Sequence, residues 1–311
     1  MIRQPIVSVL GHIDHGKTSI LDAIRGTTVA DREAGLITQH IGATEVPMKT
    51  IEKISGKLME KIKFKIRIPG LLFIVTPGHE AFITMRRRGG ALSDLTVLVI
   101  DINEGFQPQT IESLNILNGY KTPFLVAANK IDKIHGWSPN LNASIIKSIA
   151  MQAEDVKNQM DTKVYDLVGK LHEEGFQSER FDRVESFEKQ ITIIPVSAKT
   201  GEGIPELLMV LVGLAQRFLE KQLEIEESGP AVGTVLEVKE KKGLGVTIDT
   251  IIYDGEIKRG DTIVVGALED AIVTRVKALL KPRPLDEIRD PKHKFEVVKE
   301  LSAACGVKIS A

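Results

Sequence analysis

Residues 6–18 read IVSVLGHIDHGKT, and this stretch decides the fold. The apolar run at residues 6–10 predicts a short buried strand, and residues 18–25 begin a helix. Between them, Gly11 to Thr18 fits the pattern G-x-x-x-x-G-K-[ST] in the strand-loop-helix context that this pattern requires. The backbone N–H groups of such a loop, together with the N-terminus of the following helix, bind phosphate oxygens. The stretch therefore predicts the phosphate-binding loop of a nucleotide-binding α/β domain.

Each residue type in this loop suits a particular contact with the nucleotide or its metal ion. Glycine at position 16 lets the backbone approach a phosphate closely, Lys17 reaches the β and γ phosphates, and the Thr18 hydroxyl is a ligand for Mg²⁺. His12 and His15 have no Cys or His partners at metal-ligand spacing, so no zinc site is predicted. The predicted nucleotide-binding residues here are Asp14, His15, Gly16, Lys17, Thr18 and Ser19.

Further along the chain, strand-like and helix-like segments alternate. Continuous apolar runs at residues 71–75, 95–100, 124–128 and 191–196 are typical of strands covered on both faces. We also expect a half-exposed strand at 61–68 (KIKFKIRI) and a loop at 33–44. The alternation predicts a doubly wound, mainly parallel sheet.

Two short motifs follow the later strands. Asn129, Lys130 and Asp132 come directly after the run FLVAA, where a carboxylate accepts hydrogen bonds from guanine N1–H and its exocyclic amine, a pair that adenine lacks. We expect Asn129 to tie this loop to the phosphate loop and the Lys130 stem to cover the base. Ser197, Ala198 and Lys199 follow ITIIPV, where backbone N–H groups meet the guanine carbonyl oxygen.

The chain divides into two predicted domains. Residues 1–227 form the nucleotide-binding domain, with surface helices inserted at about 141–190 and a long last helix over 205–227. Ser228, Gly229 and Pro230 mark the boundary. Residues 228–311 carry short strands between turn residues and predict a small all-β barrel, cut off near its last strands.

Composition limits the class of protein. The 311 residues are 42% hydrophobic and 27% charged, as in ordinary globular domains. With 41 Lys and Arg against 42 Asp and Glu, a nucleic-acid contact must come from a local patch, such as Arg86 to Arg88, rather than from net charge. A single cysteine, Cys305, and no apolar run of bilayer length favour a cytoplasmic protein without membrane contact. We also expect a monomer.

Several longer stretches carry a family resemblance. They are KTSILDAIR (17–25), AGLITQHIGAT (34–44), TPGHEAFITMRRRGG (76–90), NKIDKIHGW (129–137) and SAKTGEGIPELL (197–208). With them, the chain resembles the translational GTPases and, more narrowly, the initiation factor five B family, the archaeal–eukaryotic counterpart of bacterial initiation factor two. The longer segment at 47–74 points to the five-B branch, and 233–266 resembles the second-domain barrel of that family.

The resemblance implies binding of GTP or GDP with Mg²⁺, and GTP hydrolysis on the ribosome during joining of the large subunit. It places the switch threonine, a second Mg²⁺ ligand, on Thr38 in the loop after the first helix. It also places the sensor glycine on Gly78, the catalytic histidine that positions water on His79, and a monovalent-cation contact on Asp14. The family continues beyond the second domain, so this chain is expected to contact the ribosome near its switch regions but not initiator tRNA.

One residue departs from the family pattern. Val75 stands where these GTPases carry the aspartate that supports Mg²⁺ through water, and an isopropyl group cannot accept that hydrogen bond. We therefore expect slow hydrolysis with nucleotide still bound. Two alternatives stay open: an elongation-type carrier of charged tRNA, against which the ITQHIGA text argues, and a GTP-binding regulatory module without useful catalysis.

Overall fold

The structure, a computed structural model, describes residues 2–26, 42–61, 65–75, 93–225, 229–241, 245–267, 270–285 and 295–311. Among these residues, the helices are α1 (Lys17–Arg25), α2 (Met48–Ser55), α3 (Pro108–Tyr120), α4 (Ile145–Met151), α5 (Glu154–Glu173) and α6 (Ile204–Phe218). The strands of the first half are β1 (Ile6–Gly11), β2 (Gly42–Pro47), β3 (Gly70–Val75), β4 (Leu95–Asp101), β5 (Phe124–Asn129), β6 (Ser178–Arg180) and β7 (Ile191–Pro195).

These seven strands form one sheet in the order β2-β3-β1-β4-β5-β7-β6. Every pair is parallel except β2 with β3. The central strands are fully buried because helices cover both faces, which explains their uninterrupted apolar sequence. The predicted doubly wound, mainly parallel sheet is therefore confirmed. Its parallel strands all end at one edge, where the loops after β1, β4, β5 and β7 meet.

The strand predicted at 61–68 is wrong over the residues that are described. Residues 56–61 form a 3-10 helix, and residues 65–69 are not in a strand. The backbone N–H groups of Arg67 and Ile68 both donate to Oε1 of Gln216, at 2.5 and 3.2 Å, instead of to a neighbouring strand. Sheet pairing starts only after Pro69, which has no N–H to donate.

Three other expectations need correction. Residues 42–44, predicted as loop, begin β2. Helix α6 ends at Phe218 rather than at 227; a 3-10 turn follows, and the Leu223 carbonyl accepts from Arg3 N at 2.9 Å, so the chain turns back to the N-terminus. The 141–190 segment contains α4 and α5, as predicted, but it also supplies β6, an edge strand beside β7 that the sequence analysis missed.

The second half is antiparallel. Its strands are β8 (Val232–Lys241), β9 (Gly245–Asp254), β10 (Glu256–Lys258), β11 (Thr262–Val265), β12 (Ile272–Arg275), β13 (Ala278–Lys281), β14 (Glu296–Val298), β15 (Glu300–Ser302) and β16 (Cys305–Ser310). A five-stranded sheet in the order β14-β13-β16-β9-β8 is joined by the pairs β10–β15 and β11–β12 around a separate apolar core that includes Leu279, Val307 and Ile309. This arrangement agrees with the predicted small barrel. Residues 226–228 lie outside the described residues, and the boundary at 227/228 stays a proposal.

A mixed apolar and polar seam joins the two halves. Ile6, Leu72 and Ile74 of the first sheet pack with Ile251 and Ala304 of the second half. Polar contacts flank this cluster. Gln4 Nε2 donates to the Ala304 carbonyl at 2.7 Å, and Glu45 of β2 pairs with Lys281 Nζ at 3.0 Å.

Candidate functional site

The phosphate loop connects β1 to α1. Helix α1 is capped by Gly16, whose φ of 91° lies in the left-handed region, and no side chain caps its first N–H groups. The first turn of α1 contains no acidic residue. The positive end of the helix dipole therefore faces the loop, which is the arrangement that binds phosphate.

Lys17 is held inside this loop. Its Nζ donates to the carbonyl oxygens of Gly11 and His12, at 3.0 and 2.7 Å. Burial lowers the pKa of Lys17 to about 8, and the carboxylate of Asp14 partly opposes that shift. An ammonium that donates to neutral carbonyls is stabilised further by a nearby phosphate, so the chemistry of this position suits an anionic ligand.

The remaining loop residues lie around this lysine. Thr18 is buried in the first turn of α1, followed by the half-buried Ser19. His15 is completely buried, and burial together with the neighbouring His12 lowers the pKa of His15, so its ring is neutral at pH 7. Asp14 is exposed, with a positive φ of 64°.

Asn129 joins three loops. Its Nδ2 donates to the His15 carbonyl at 2.8 Å, and its Oδ1 accepts from Ala198 N at 3.0 Å. The tie between the base-reading loop and the phosphate loop, expected from the sequence, is therefore present in the structure. A single buried amide thus fixes the ends of β1, β5 and β7 relative to one another.

The predicted base readers Asp132 and Ser197 are in contact. Ser197 Oγ donates to Asp132 Oδ1 at 2.6 Å, and the same hydroxyl accepts from Thr200 N at 3.2 Å. Lys199 is exposed beside them. Ser197 therefore orients the carboxylate of Asp132 at the edge of the sheet where Asn129 and Lys130 also lie, and the sequence motifs come together as one site.

Four residues of this region were missed by the sequence analysis. Asp101, at the end of β4, pairs with Lys130 Nζ at 2.7 Å. Gln109 Oε1 accepts from Ile13 N at 3.0 Å, and Glu202 is a fully buried acceptor for Trp137, Asn140 and Thr200. Asn103 contacts both Asp101 and Lys130. For Asp101, a signal was available, because a carboxylate at the carboxyl end of a buried strand lies at the ligand edge of the sheet.

Val75 is the last residue of β3 and belongs to the main apolar core. It is 1% exposed and pairs in register with Val9 on one side and Gly42 on the other. The other predicted switch residues, Thr38, Gly78 and His79, together with Arg86 to Arg88, lie outside the described residues. Of the predicted Mg²⁺ ligands, only Thr18 is therefore placed.

Within the described ranges, no group of three or more His, Cys, Asp and Glu side chains is arranged to hold a metal ion. Thr18 at the phosphate loop fits a Mg²⁺ that is held mainly by the phosphates of a bound nucleotide. Among the described residues, no helix combines the length and the apolar character that a bilayer span requires.

This arrangement of loops defines a P-loop nucleotide-binding domain with a guanine-type base loop. A family model of the elongation factor Tu GTP binding domain matches residues 3–217, and the chain belongs to that family of translational GTPases. Within it, the chain is similar to archaeal initiation factors. It is 60% identical over 310 residues to a probable translation initiation factor IF-2 of Methanopyrus kandleri, and 59% identical to that of Thermococcus sibiricus, covering all of this chain and 52% of each relative.

Solved structures agree with this assignment. GDP-bound aIF5B from Aeropyrum pernix superposes with a TM-score of 0.89 and 55% identity, over all of this chain and 52% of that one. A bacterial selenocysteine-specific elongation factor matches at a TM-score of 0.61 and 21% identity, over 99% of this chain and 42% of that one, which indicates the shared fold alone. The predicted resemblance to initiation factor five B is confirmed. The chain spans about half the length of the relatives that it matches.

Proposed function

We propose that this chain is the GTP-binding and GTP-hydrolysing part of a translation initiation factor. The observation that carries the proposal is the Asn129 amide, which links the phosphate loop to the base loops through His15 and Ala198. A nucleotide lying across this edge of the sheet contacts both loops at once. The names of the relatives, initiation factor IF-2 and aIF5B, support the role in initiation.

The chain's own groups divide the work of binding. Asp132, oriented by Ser197, accepts hydrogen bonds from guanine N1–H and its amine. The first turn of α1 and Lys17 hold the phosphates. Thr18 offers its hydroxyl to Mg²⁺, and the metal, when bound, neutralises charge on the phosphate oxygens. Thr38 as a second Mg²⁺ ligand and Asp14 as a monovalent-cation contact stay predictions.

GTP hydrolysis is the activity that we expect to be impaired in this chain. The isopropyl side chain of Val75 itself cannot accept a hydrogen bond from a metal-bound water at the end of β3. His79 is proposed to position the attacking water and Gly78 to contact the γ phosphate. We infer a GTPase that retains its nucleotide and turns over slowly.

In the whole factor, this part would act on the ribosome at joining of the large subunit, with ribosomal RNA near Arg86 to Arg88, in the cytoplasm where ribosomes work. A monomer without direct initiator-tRNA contact is proposed. A single-turnover GTPase assay with purified archaeal ribosomal subunits tests this role. Stimulation only by both subunits together supports it, and indifference to ribosomes contradicts it.

The binding proposal is tested by titrating the chain with GTP, GDP and ATP, with and without Mg²⁺. We expect both guanosine nucleotides to bind and ATP not to compete, because adenine cannot satisfy the carboxylate of Asp132. Equal affinity for ATP and GTP would overturn the assignment.

Val75 also favours a second candidate, a GTP-binding regulatory module without useful catalysis. The two candidates share the nucleotide site and differ only in turnover. If ribosomal subunits fail to stimulate the chain but do stimulate a Val75→Asp variant, the regulatory module is the better description.

A further inference from the structure

A three-residue segment at the end of β4, residues 101–103, holds the base-reading loop. Asp101 Oδ2 pairs with Lys130 Nζ at 2.7 Å. The backbone N–H of Ile102 donates to the Asn129 carbonyl at 3.0 Å. The Asn103 amide donates to the Lys130 carbonyl at 3.1 Å and to Asp101 Oδ1 at 3.2 Å. Consecutive residues of one strand end therefore fix both the backbone and the side chain of the base loop.

Lys130 needs such support. Its φ of 66° is left-handed, a conformation that side chains rarely adopt without surrounding contacts. It also caps the 3-10 turn Ile131–Lys133, which carries Asp132. The direction in which the Asp132 carboxylate points therefore depends on the backbone conformation of Lys130.

The Asp101–Lys130 pair is shielded from water. The two side chains are 2% and 18% exposed, respectively. Burial alone raises the pKa of Asp101, but hydrogen bonds from Lys130 and Asn103 outweigh it and lower the pKa overall. Removing the carboxylate would leave a largely buried ammonium without its partner, and Lys130 would have to move toward solvent.

We propose that Asp101 is a positioning residue for purine recognition: by holding Lys130 in its left-handed conformation, it sets the orientation of Asp132 and so the preference for guanine. This inference rests on the proposed guanine site. Asn103 assists through the Lys130 carbonyl. Neither residue contacts the base in this scheme, and both act through the loop at 129–132.

The test compares Asp101→Asn and Asn103→Ala with the unchanged chain. The readouts are the dissociation constants for GDP, inosine diphosphate and ADP, and the thermal midpoint without nucleotide. Inosine lacks the 2-amino group, so the GDP-to-inosine ratio reports how well Asp132 is aimed. We expect GDP to bind about 10- to 100-fold more weakly to Asp101→Asn, as for loss of a charged hydrogen bond, with the GDP-to-inosine ratio falling toward one.

Asp94→Asn is the matched control. Asp94 stands just before the opposite end of β4 and pairs with Arg3 Nη1 at 2.6 Å, so it is also a shielded carboxylate in an ion pair. We expect this variant to melt at a lower temperature but to keep both nucleotide ratios. Asn103 is exposed, so Asn103→Ala carries the test if Asp101→Asn does not fold, with a smaller loss in the same direction.

A double-variant cycle tests whether Asp101 affects GDP binding through Lys130. If Asp101 acts through Lys130, adding Asp101→Asn to a Lys130→Ala chain changes GDP affinity by no more than about twofold. An unaltered GDP-to-inosine ratio in both Asp101→Asn and Asn103→Ala, whatever their melting temperatures, would overturn the inference. Failure of the unchanged chain to prefer GDP over ADP would instead refute the proposed function, so the two failures are distinct.

Discussion

Replacing Gly16 with alanine should damage the site in two measurable ways. An added Cβ at this position would lie 2.4 Å from Asn129 Nδ2, far inside contact distance. That amide is the group that binds the His15 carbonyl, so it must move away and the tie between the loops is broken. In addition, the φ of 91° is left-handed and unfavourable for any residue with a Cβ.

The magnitude follows from these two effects. A left-handed residue with a Cβ costs about 1–2 kcal/mol, and losing the amide hydrogen bond costs about 1 kcal/mol. Without nucleotide, the altered loop can relax away from its strained conformation, and GDP must then restore that conformation in order to bind. The total cost of about 2–3 kcal/mol therefore appears as a GDP dissociation constant that is weaker by about 30- to 150-fold.

The assay is GDP binding by calorimetry, with thermal unfolding of the nucleotide-free chain. Gly175→Ala is the matched control, since its φ is 87° but nothing lies within 4 Å of the added Cβ. The control should lose some stability through backbone strain and keep its GDP affinity. If Gly16→Ala bound GDP as tightly as the control does, the close approach of Gly16 and Asn129 would not matter and the reasoning would be refuted.

Three further predictions address chemistry. Val75→Asp should raise the rate of Mg²⁺-dependent single-turnover GTP hydrolysis, because it supplies the missing acceptor, whereas the neutral Val75→Asn should raise it much less; no gain with aspartate contradicts the explanation for slow turnover. Asp132→Asn should lower the preference for GDP over xanthosine diphosphate by at least about 100-fold, since the amide donates where the carboxylate accepted; competition binding measures this, and an unchanged preference excludes Asp132 as the base reader. Because burial lowers the pKa of Lys17 to about 8, below its unfolded value, the nucleotide-free chain should gain stability as pH rises from about 8 toward 10.5, while GDP binding near pH 8 takes up protons. Calorimetry in buffers of different ionisation enthalpy detects that proton uptake. If no proton is taken up, or if the uptake persists in Lys17→Met, Lys17 is not the group that binds the proton.

Much of the fold followed from local sequence. Continuous apolar runs located the central strands, and the motif after β1 placed the loop before α1, because the short-range pattern and the burial of these segments agree. The 61–68 prediction failed because an alternating pattern describes one exposed face but does not identify a pairing partner, and here the partner of the backbone was the side chain of Gln216.

A similar share of the candidate site could be predicted from the sequence. Asn129, Asp132 and Ser197 were found because each follows a buried strand and suits hydrogen bonding to a purine. Gln109 was missed because its role depends on a contact with a residue 96 positions away, which no local pattern encodes. For Asp101, the end of a buried strand pointed to the ligand edge of the sheet, but its partner Lys130, 29 positions away, could not be read from the sequence.

The seam between the two halves limits how this chain can be shortened for laboratory work. Truncation near residue 228 would uncover Ile6, Leu72 and Ile74 and leave Glu45 without Lys281. Uncovered aliphatic surface of this kind favours aggregation and lowers solubility. The isolated nucleotide-binding half is therefore a poor reagent, and assays of its biochemistry are better run with the barrel attached.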